Sequence, residues 1–591
     1  MAAALTVATV ASAKDYYARP GAWTIERALQ EVRLDRLQQH GNAVNPSQWG
    51  RNDNNADRPV IHLAAGIYAL SAPVTLRPED SGVRLVADGE VHISGGARVT
   101  GWKRQGRLWV ADIPKHNGRA VECRQLWVNG RKAVRARDVS DFEKMYRIRS
   151  VDKSAETLYV PAEAVKGLSL KGDRPVEMVL HEMWCVAVLR IRDIRIQGDS
   201  AAVTFCQPES HVHFMHPWPS PMVTPGGKHN SAFYLTGSMS LLDEPGEWHA
   251  EGGKIYYLPR KGESMNNVEA VVPALETLLQ TQGTSDRPVT GISVEGVIFE
   301  HSAWNRPSFS GHAPLQAGMF MTEAYKIRPQ ISRPNGDHKL DNQGWVGRPS
   351  AAVSLSCAED VRFNGCSFQH IAATALDYHT YIYGGAVTNC RFEDIGGTAV
   401  LAGVFSPEGL EAHLPYDPSD RREICSDLLI ENNRIDDAAN EDWGCVGIGA
   451  GVVRNISILH NEISNVSYTG ISLGWGWNQQ PCAMANNRVC GNLIHHYARH
   501  MYDTAGIYTL GSQPHSLVEG NVVRDIYSPS YAHDPEHWFY LYTDEGSSGF
   551  IVRNNWCPAE KFLQNSNGPG NTWENNGPMV NDSIRTAAGI R

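Results

Sequence analysis

Residues 456–466 read ISILHNEISNV, residues 487–497 NRVCGNLIHHY, residues 516–526 SLVEGNVVRDI and residues 549–559 GFIVRNNWCPA. In each, an apolar pair leads into a small or polar turn, an asparagine follows, and a second alternating stretch resumes. Four upstream stretches share the layout: GISVEGVIFEHS at 291–302, DVRFNGCSFQHI at 360–371, GAVTNCRFEDI at 385–395 and LLIENNRIDDA at 428–438. Aligned, the turn position holds Val297, Cys366, Cys390, Asn433, Asn461, Asn492, Asn521 and Asn555, with the last four intervals 28, 31, 29 and 34 residues. A period of this length marks a solenoid. Strands of two to five residues with an asparagine at a repeated corner exclude a helical solenoid and predict a right-handed parallel β-helix, each coil made of three short strands and their turns. Stacked asparagines can hydrogen-bond along the stack through their amides, and small, buried cysteines fill the same inside corner.

Outward from this repeat, the chain divides. Residues 1–13 carry an apolar stretch ending in Ala11-Ser12-Ala13, the small-x-small pattern of a secretory cleavage site, and read as a signal-peptide remnant. Residues 14–101 are expected to hold a terminal cap and the first coils. Within them, Trp23, Ile25, Ala28, Leu29, Val32, Leu34 and Leu37 recur at helical spacing, predicting a capping helix over 22–39. Residues 40–58 read as a polar loop, and short strands begin at Val60. From 102 to 262 the strands lengthen and the period disappears, which predicts an inserted β-domain of sandwich type. The main β-helix then occupies 263–591. Its largest insertions, 304–350 and 402–425, are rich in Trp, Tyr, His, Asn and Asp and are expected to wall one groove, since per-repeat insertions gather on one face.

Composition excludes several classes of function. A chain of 591 residues with a net charge of -10 has no basic cluster suited to phosphates, so nucleic acid is not an expected partner. No apolar run reaches the ~20 residues a membrane span needs. Eleven cysteines without a CxxC motif argue against zinc and against a fully paired disulfide framework. No cofactor and no metal are expected, and structural calcium is not indicated. His496 and His500 have an i, i+4 spacing, but at a β-helix corner rather than on a helix.

A polar, aromatic-walled groove suits carbohydrate, and glycosidic hydrolysis needs one carboxylic acid to protonate the leaving oxygen and a second carboxylate as nucleophile or base. Asp503, before GIYTLG, and Asp544, in FYLYTDEG, belong to strands that fall at equivalent places of successive coils. They are the candidate catalytic pair, without assignment of which is the acid. Neighbouring strands are ~4.8 Å apart, so the stack is expected to bring the two together. Glu545, Glu441 and Asp442 are competing acids, with Glu441 and Asp442 better suited to substrate binding. Glu545 shares the groove with Asp544 only if the turn begins there, because successive strand residues face opposite ways. Trp475 and Trp477, in GISLGWGWN, are the leading wall candidates, followed by Trp304, Trp443, Tyr502 and Trp538, with His500 as a further sugar contact.

Several of these stretches resemble one family. LAAGIYALSAPVTLRPEDSGVRL, ISGGARVTGW, LLDEPGEWHAEGGKIYYLPRKGE, GVIFEHSAW, GISLGWGWN, DTAGIYTLG and YLYTDEGSSG, spread over about residues 60–560, are similar to the β-helix enzymes of glycoside hydrolase family 141. That family includes an α-L-fucosidase acting on a complex pectin and a xylanase. The resemblance implies an exported, secreted or periplasmic carbohydrase that removes α-L-fucose or a similar sugar from a plant polysaccharide, and it carries the family's proposed catalytic acids onto Asp503 and Asp544. The opening DYYARPGAW is shorter than is usual for the family, which concerns the cap and not the groove. The competing readings are a xylan-directed xylosidase or xylanase, a pectate-type polysaccharide lyase and a non-catalytic carbohydrate-binding β-helix.

Overall fold

The computed structural model describes residues 14–21, 23–40, 45–51, 58–324, 345–406 and 412–591. The proposed leader and much of the 304–350 insertion lie outside these residues, as do parts of the 40–58 and 402–425 stretches.

Three parallel stacks build a β-helix: an 18-stranded sheet, a 10-stranded sheet and a 5-stranded sheet. One coil shows the order. Leu429–Glu431 and Arg434–Ala438 lie in the large sheet with Asn432 and Asn433 turning between them, Ile448–Ala450 lies in the 10-stranded sheet, and Val453–Arg454 lies in the 5-stranded one. The asparagine corner works as the sequence predicts. The Asn433 side-chain amide and backbone N–H both donate to Asn461 Oδ1 at 2.9 and 3.0 Å, and the same pair of bonds recurs from Asn461 to Asn492, Asn492 to Asn521 and Asn521 to Asn555. Asn555 extends the series to Asn576. At the other end, the Cys390 backbone N–H donates to Asn433 Oδ1, so the thiol-bearing corners continue the column. All these asparagines except Asn576 are fully buried, and each amide also reaches a backbone carbonyl one coil earlier, as Asn492 does at Ile458 O. Inside, Phe299, Phe368 and Phe392 stack face to face at 5.1 and 4.7 Å, the strand spacing itself.

The cap helix runs Ile25–His40. Ala28, Leu29 and Val32 are buried against the first coils, whereas Leu34 and Leu37 are about half exposed, so the apolar stripe is narrower than the periodicity implies. Ahead of it, Asp15–Ala18 forms a strand paired in parallel with Val60–Ala69, and the expected loop contains a short 3-10 helix at Pro46–Arg51.

The antiparallel pairing of the inserted unit begins at Gly96–Arg98 and ends at Ala270–Pro273, wider than the change in sequence texture at 102 and 262, and a separate antiparallel sheet of Pro314–Gln316, Met319–Met321 and Val346–Gly347 follows. Four- and five-stranded sheets enclose one core that includes Trp109, Trp248 and Tyr257. A seven-stranded sheet builds a second core around Met178, Leu189 and Phe205. The inserted unit is thus a sandwich plus a further sheet, and it folds back over the main helix. His181 Nε2 lies 2.7 Å from the His500 carbonyl oxygen, and Trp184 Nε1 donates to the Leu315 carbonyl oxygen at 2.6 Å. Among the described residues, no helix is long and apolar enough to cross a membrane.

Candidate active site

Asp503 and Asp544 line a single cavity of about 470 Å³ between the inserted unit and the 10-stranded face. Thr504–Thr509 and Trp538–Thr543 are neighbours in that face, with Ile507 beside Leu541 and Tyr508 beside Tyr542. The two aspartates are not stacked at equivalent points of these strands, however. Asp503 precedes the first strand and Asp544 follows the second, so they approach from opposite ends, and Tyr468, Tyr508 and Tyr542 also line the space. Axial strand spacing alone therefore does not set their separation, because their different places in the turns add an offset, while the strands that carry them are adjacent as the sequence predicts.

Each carboxylate is held. Asp503 has a left-handed φ of 54°, a conformation Asp tolerates better than most residues. Its backbone N–H donates to the His537 carbonyl, its Oδ1 lies 3.2 Å from His537 Nε2, and its carbonyl accepts from the Tyr468 hydroxyl. That hydrogen bond, together with the charge of Asp503, raises the pKa of His537 and favours the imidazolium. Asp544 is 8% exposed. Tyr508 donates to its Oδ2 at 2.5 Å and Asn565 to its Oδ1 at 2.7 Å. Burial nevertheless drives the Asp544 carboxyl up to about 6, the charge of Asp503 adds to the rise, and the two donors oppose it.

The turn after Asp544 explains why Glu545 shares the cavity. The strand ends at Thr543, so alternation stops before the acids, and Glu545 lines the space beside Asp544. Gly546 closes this turn at a φ of 75°. A Cβ there would lie 2.0 Å from the Asn478 carbonyl oxygen, so only glycine fits.

Trp477 lines the cavity, with the His413 ring 5.3 Å away. Trp475 does not. It is buried, packs edge-on against Phe405 and Trp477, and donates its indole N–H to Ser406 Oγ, which makes it the support of Trp477 rather than a wall. Replacing Trp477 with Ala is expected to raise KM about tenfold with kcat within about threefold, the loss of one aromatic platform, as steady-state kinetics would register.

The other expected contacts lie elsewhere. Trp538 sits at the start of its strand under Lys561 and against the β-helix core. Tyr502 is buried and stacks on His181. Asp442 is buried 3.1 Å from His312 Nε2. Glu441, Trp304 and His500 face a second cavity. His500 stacks on Trp443 at 4.1 Å, and His496 is exposed at a strand end, so the i, i+4 pair builds no common site. Among the described residues, no group of three or more His, Cys, Asp or Glu side chains could hold a metal ion.

The sequence points to the 304–350 and 402–425 insertions, which supply Leu315, Gln316 and His413, but not to the wall that comes from the inserted unit. Met183 and Trp184, with Pro217, Trp218, Ser220 and Met222, come from the inserted unit, and Leu315 and Gln316 from the insertion that follows it. The run HPWPSPM at 216–222 was the available signal, because its three prolines resist an ordinary strand.

Comparison with known proteins agrees with this architecture. The family model described as the GH141 insertion domain matches residues 106–260. A solved structure titled "Glycoside hydrolase" is 52% identical, covers 98% of this chain and 99% of its own, and superposes with a TM-score of 0.92. The chain belongs to glycoside hydrolase family 141. The family 141 chain also overlaps a xylose complex of XylC (12% identity, 93% of this chain and 70% of that one, TM-score 0.45). Its overlap with a GH136 lacto-N-biosidase from Eubacterium ramulus is lower (11% identity, 51% and 59%, TM-score 0.28). Neither overlap is close enough to bear on substrate. A search of curated proteins returns no match.

Proposed function

We propose that this family 141 hydrolase removes an α-L-fucosyl or similar 6-deoxy sugar from a plant cell-wall polysaccharide such as pectin, with Asp544 as proton donor and Asp503 as nucleophile or base. The observation that carries the reading is the pair of aspartates on one cavity in unlike surroundings: Asp544 is buried with its carboxyl near 6, and Asp503 lies 3.2 Å from His537 Nε2 and raises the pKa of that histidine. A carboxyl raised toward neutral pH suits the proton-donor role. Asp544 would protonate the departing oxygen, while Asp503 acts at the anomeric carbon or on a water beside it. Met183, Met222 and Leu315 give the cavity apolar surface that a sugar methyl satisfies and a hydroxymethyl does not. Trp477 supplies the flat face for the ring. The same reading makes residues 1–13 an export signal and the enzyme secreted or periplasmic.

Parallel incubation with 4-nitrophenyl α-L-fucoside, xyloside, arabinoside and galactoside, and with pectic oligosaccharides, tests the specificity. Fucose release should exceed the others at least tenfold, and preferential xylose release would overturn it. The pH profile tests the roles. A donor near 6 is protonated below that value, so kcat/KM should fall tenfold per pH unit above about 6. Tyr508 favours the ionised form of Asp544, so Tyr508→Phe should raise the Asp544 pKa further and move this limb to higher pH. A purely structural loss would lower the rate and leave the limb where it is.

A further inference from the structure

A second cavity, about 570 Å³, lies further back along the same junction. The corner that gives Asp503 to the candidate active site gives Arg499 and His500 to this one, and earlier coils supply Asp394, Asp437 and Glu441. The inserted unit contributes Arg131, Lys132, Arg135 and Arg137 from one short segment. In a protein of net charge -10 this is a local excess of positive charge.

Most of these charges are spoken for. Lys132 Nζ lies 3.0 Å from Asp394 and 3.3 Å from Glu441, and it donates to Asn440 at 2.6 Å. Arg135 pairs with Glu177 at 2.8 Å and Arg499 with Asp437 at 3.0 Å. Arg131 and Arg137 have no ion-pair partner among the described residues. The Arg137 guanidinium instead lies 4.5 Å over the Phe142 ring, and its buried Nε has no hydrogen-bond partner. Two neighbours share that condition. Gln125, 2% exposed, leaves Nε2 unmatched, and Arg124, 5% exposed, leaves Nε unmatched although its two terminal nitrogens donate to Glu177 at 2.6 and 2.9 Å. The unmatched nitrogens of Arg124, Gln125 and Arg137 are closed off from the cavity, so a ligand's acceptors would meet the guanidinium groups of Arg131 and Arg137 that have no ion-pair partner. Asp394 is engaged elsewhere: its Oδ2 accepts from Trp127 and lies 2.8 Å from His370 Nδ1, and its Oδ1 accepts from Asn440. Trp304, Trp443 and Phe142 add aromatic surface.

We propose that this cavity binds a hexuronate unit of an acidic polysaccharide. Its carboxylate would meet Arg137 and Arg131, its C–H face the aromatic wall, and its hydroxyls Glu441. A guanidinium matches a carboxylate in two parallel hydrogen bonds, and the aromatic surface distinguishes a sugar acid from a bare anion. The proposal concerns binding alone and stands whichever sugar is cleaved beside Asp544.

Isothermal titration at fixed ionic strength tests it, with trigalacturonate, the neutral galactose trimer and sodium sulfate as probes. Trigalacturonate should bind with one equivalent, at least tenfold more weakly to Arg137→Gln and within twofold of wild type to Trp477→Ala. The neutral trimer should bind at least tenfold more weakly than trigalacturonate. Circular dichroism checks that Arg137→Gln is folded. If it is not, Arg131→Gln at the exposed rim decides, with at least a threefold loss expected and unchanged affinity contradicting the site. Equal binding of the neutral trimer, no binding of trigalacturonate, or loss of binding in Trp477→Ala would each overturn the proposal. So would sulfate binding as tightly as the uronate, which would reduce the cavity to an anion pocket.

Discussion

Asp544→Asn and Asp503→Asn should each lower kcat/KM by about 10³-fold or more while leaving the thermal unfolding midpoint within a few degrees of wild type. The fold tolerates both changes because neither side chain belongs to the β-helix core. Asp544 is held by Tyr508 and Asn565, and Asn can still accept at one of those positions. It cannot release a proton to a leaving oxygen. Asp503 faces His537, and an amide there removes the negative charge that the imidazolium balances. The two losses should not add in the double variant, because groups acting in one step fail as a unit. Turnover within tenfold of wild type in either single variant would remove that residue from the chemistry.

The largest stability effect is expected in the asparagine column. Asn492→Ala removes the acceptor of the Asn461 backbone N–H and of the Asn461 amide, and it removes the donor to Ile458 O and Asn521 Oδ1. All four asparagines concerned in this stretch of the column, from Asn461 to Asn555, are fully buried, so water cannot replace the missing partners. With about 1–3 kcal/mol for a stranded buried group, the variant should lose about 3–5 kcal/mol, read as a lower midpoint in denaturant titration. Asn492→Cys should recover only part of this loss. Cys366 and Cys390 occupy the same corner in earlier coils, but their thiols make weaker bonds to carbonyl oxygens at 3.4 and 3.6 Å.

That column is also why the fold was readable. An asparagine recurring every 28 to 34 residues has one physical use when flanked by short alternating strands, and Asn433 to Asn555 fulfil it. The two aspartates were readable for a related reason, because GIYTLG and YLYTDEG really do lie on adjacent strands. Asp503 before its strand and Asp544 at the end of its own are read from the sequence as well, but how the turns bring both side chains to one cavity is not, because propensity does not supply turn geometry. Trp475 and Trp477 show the limit on a smaller scale. Two residues apart they would face one side of a strand, but the strand stops at Leu473, and Gly474 and Gly476, both at positive φ, turn one indole under the other. Glu441 and Asp442 part in the same way, one to a lysine in the second cavity and one to a buried histidine. The walls from the inserted unit could not be found by any period, since Trp184 and Trp218 reach Asp503 only through docking of an aperiodic unit onto a periodic one.

The most direct measurement is the crystal structure of Asp544→Asn soaked with an uncleaved fucosylated pectic oligosaccharide. The account predicts the scissile glycosidic oxygen about 3 Å from the residue 544 side chain, the anomeric carbon turned toward Asp503, and the sugar ring over Trp477. A saccharide bound with its scissile bond out of reach of both positions 503 and 544 would contradict it.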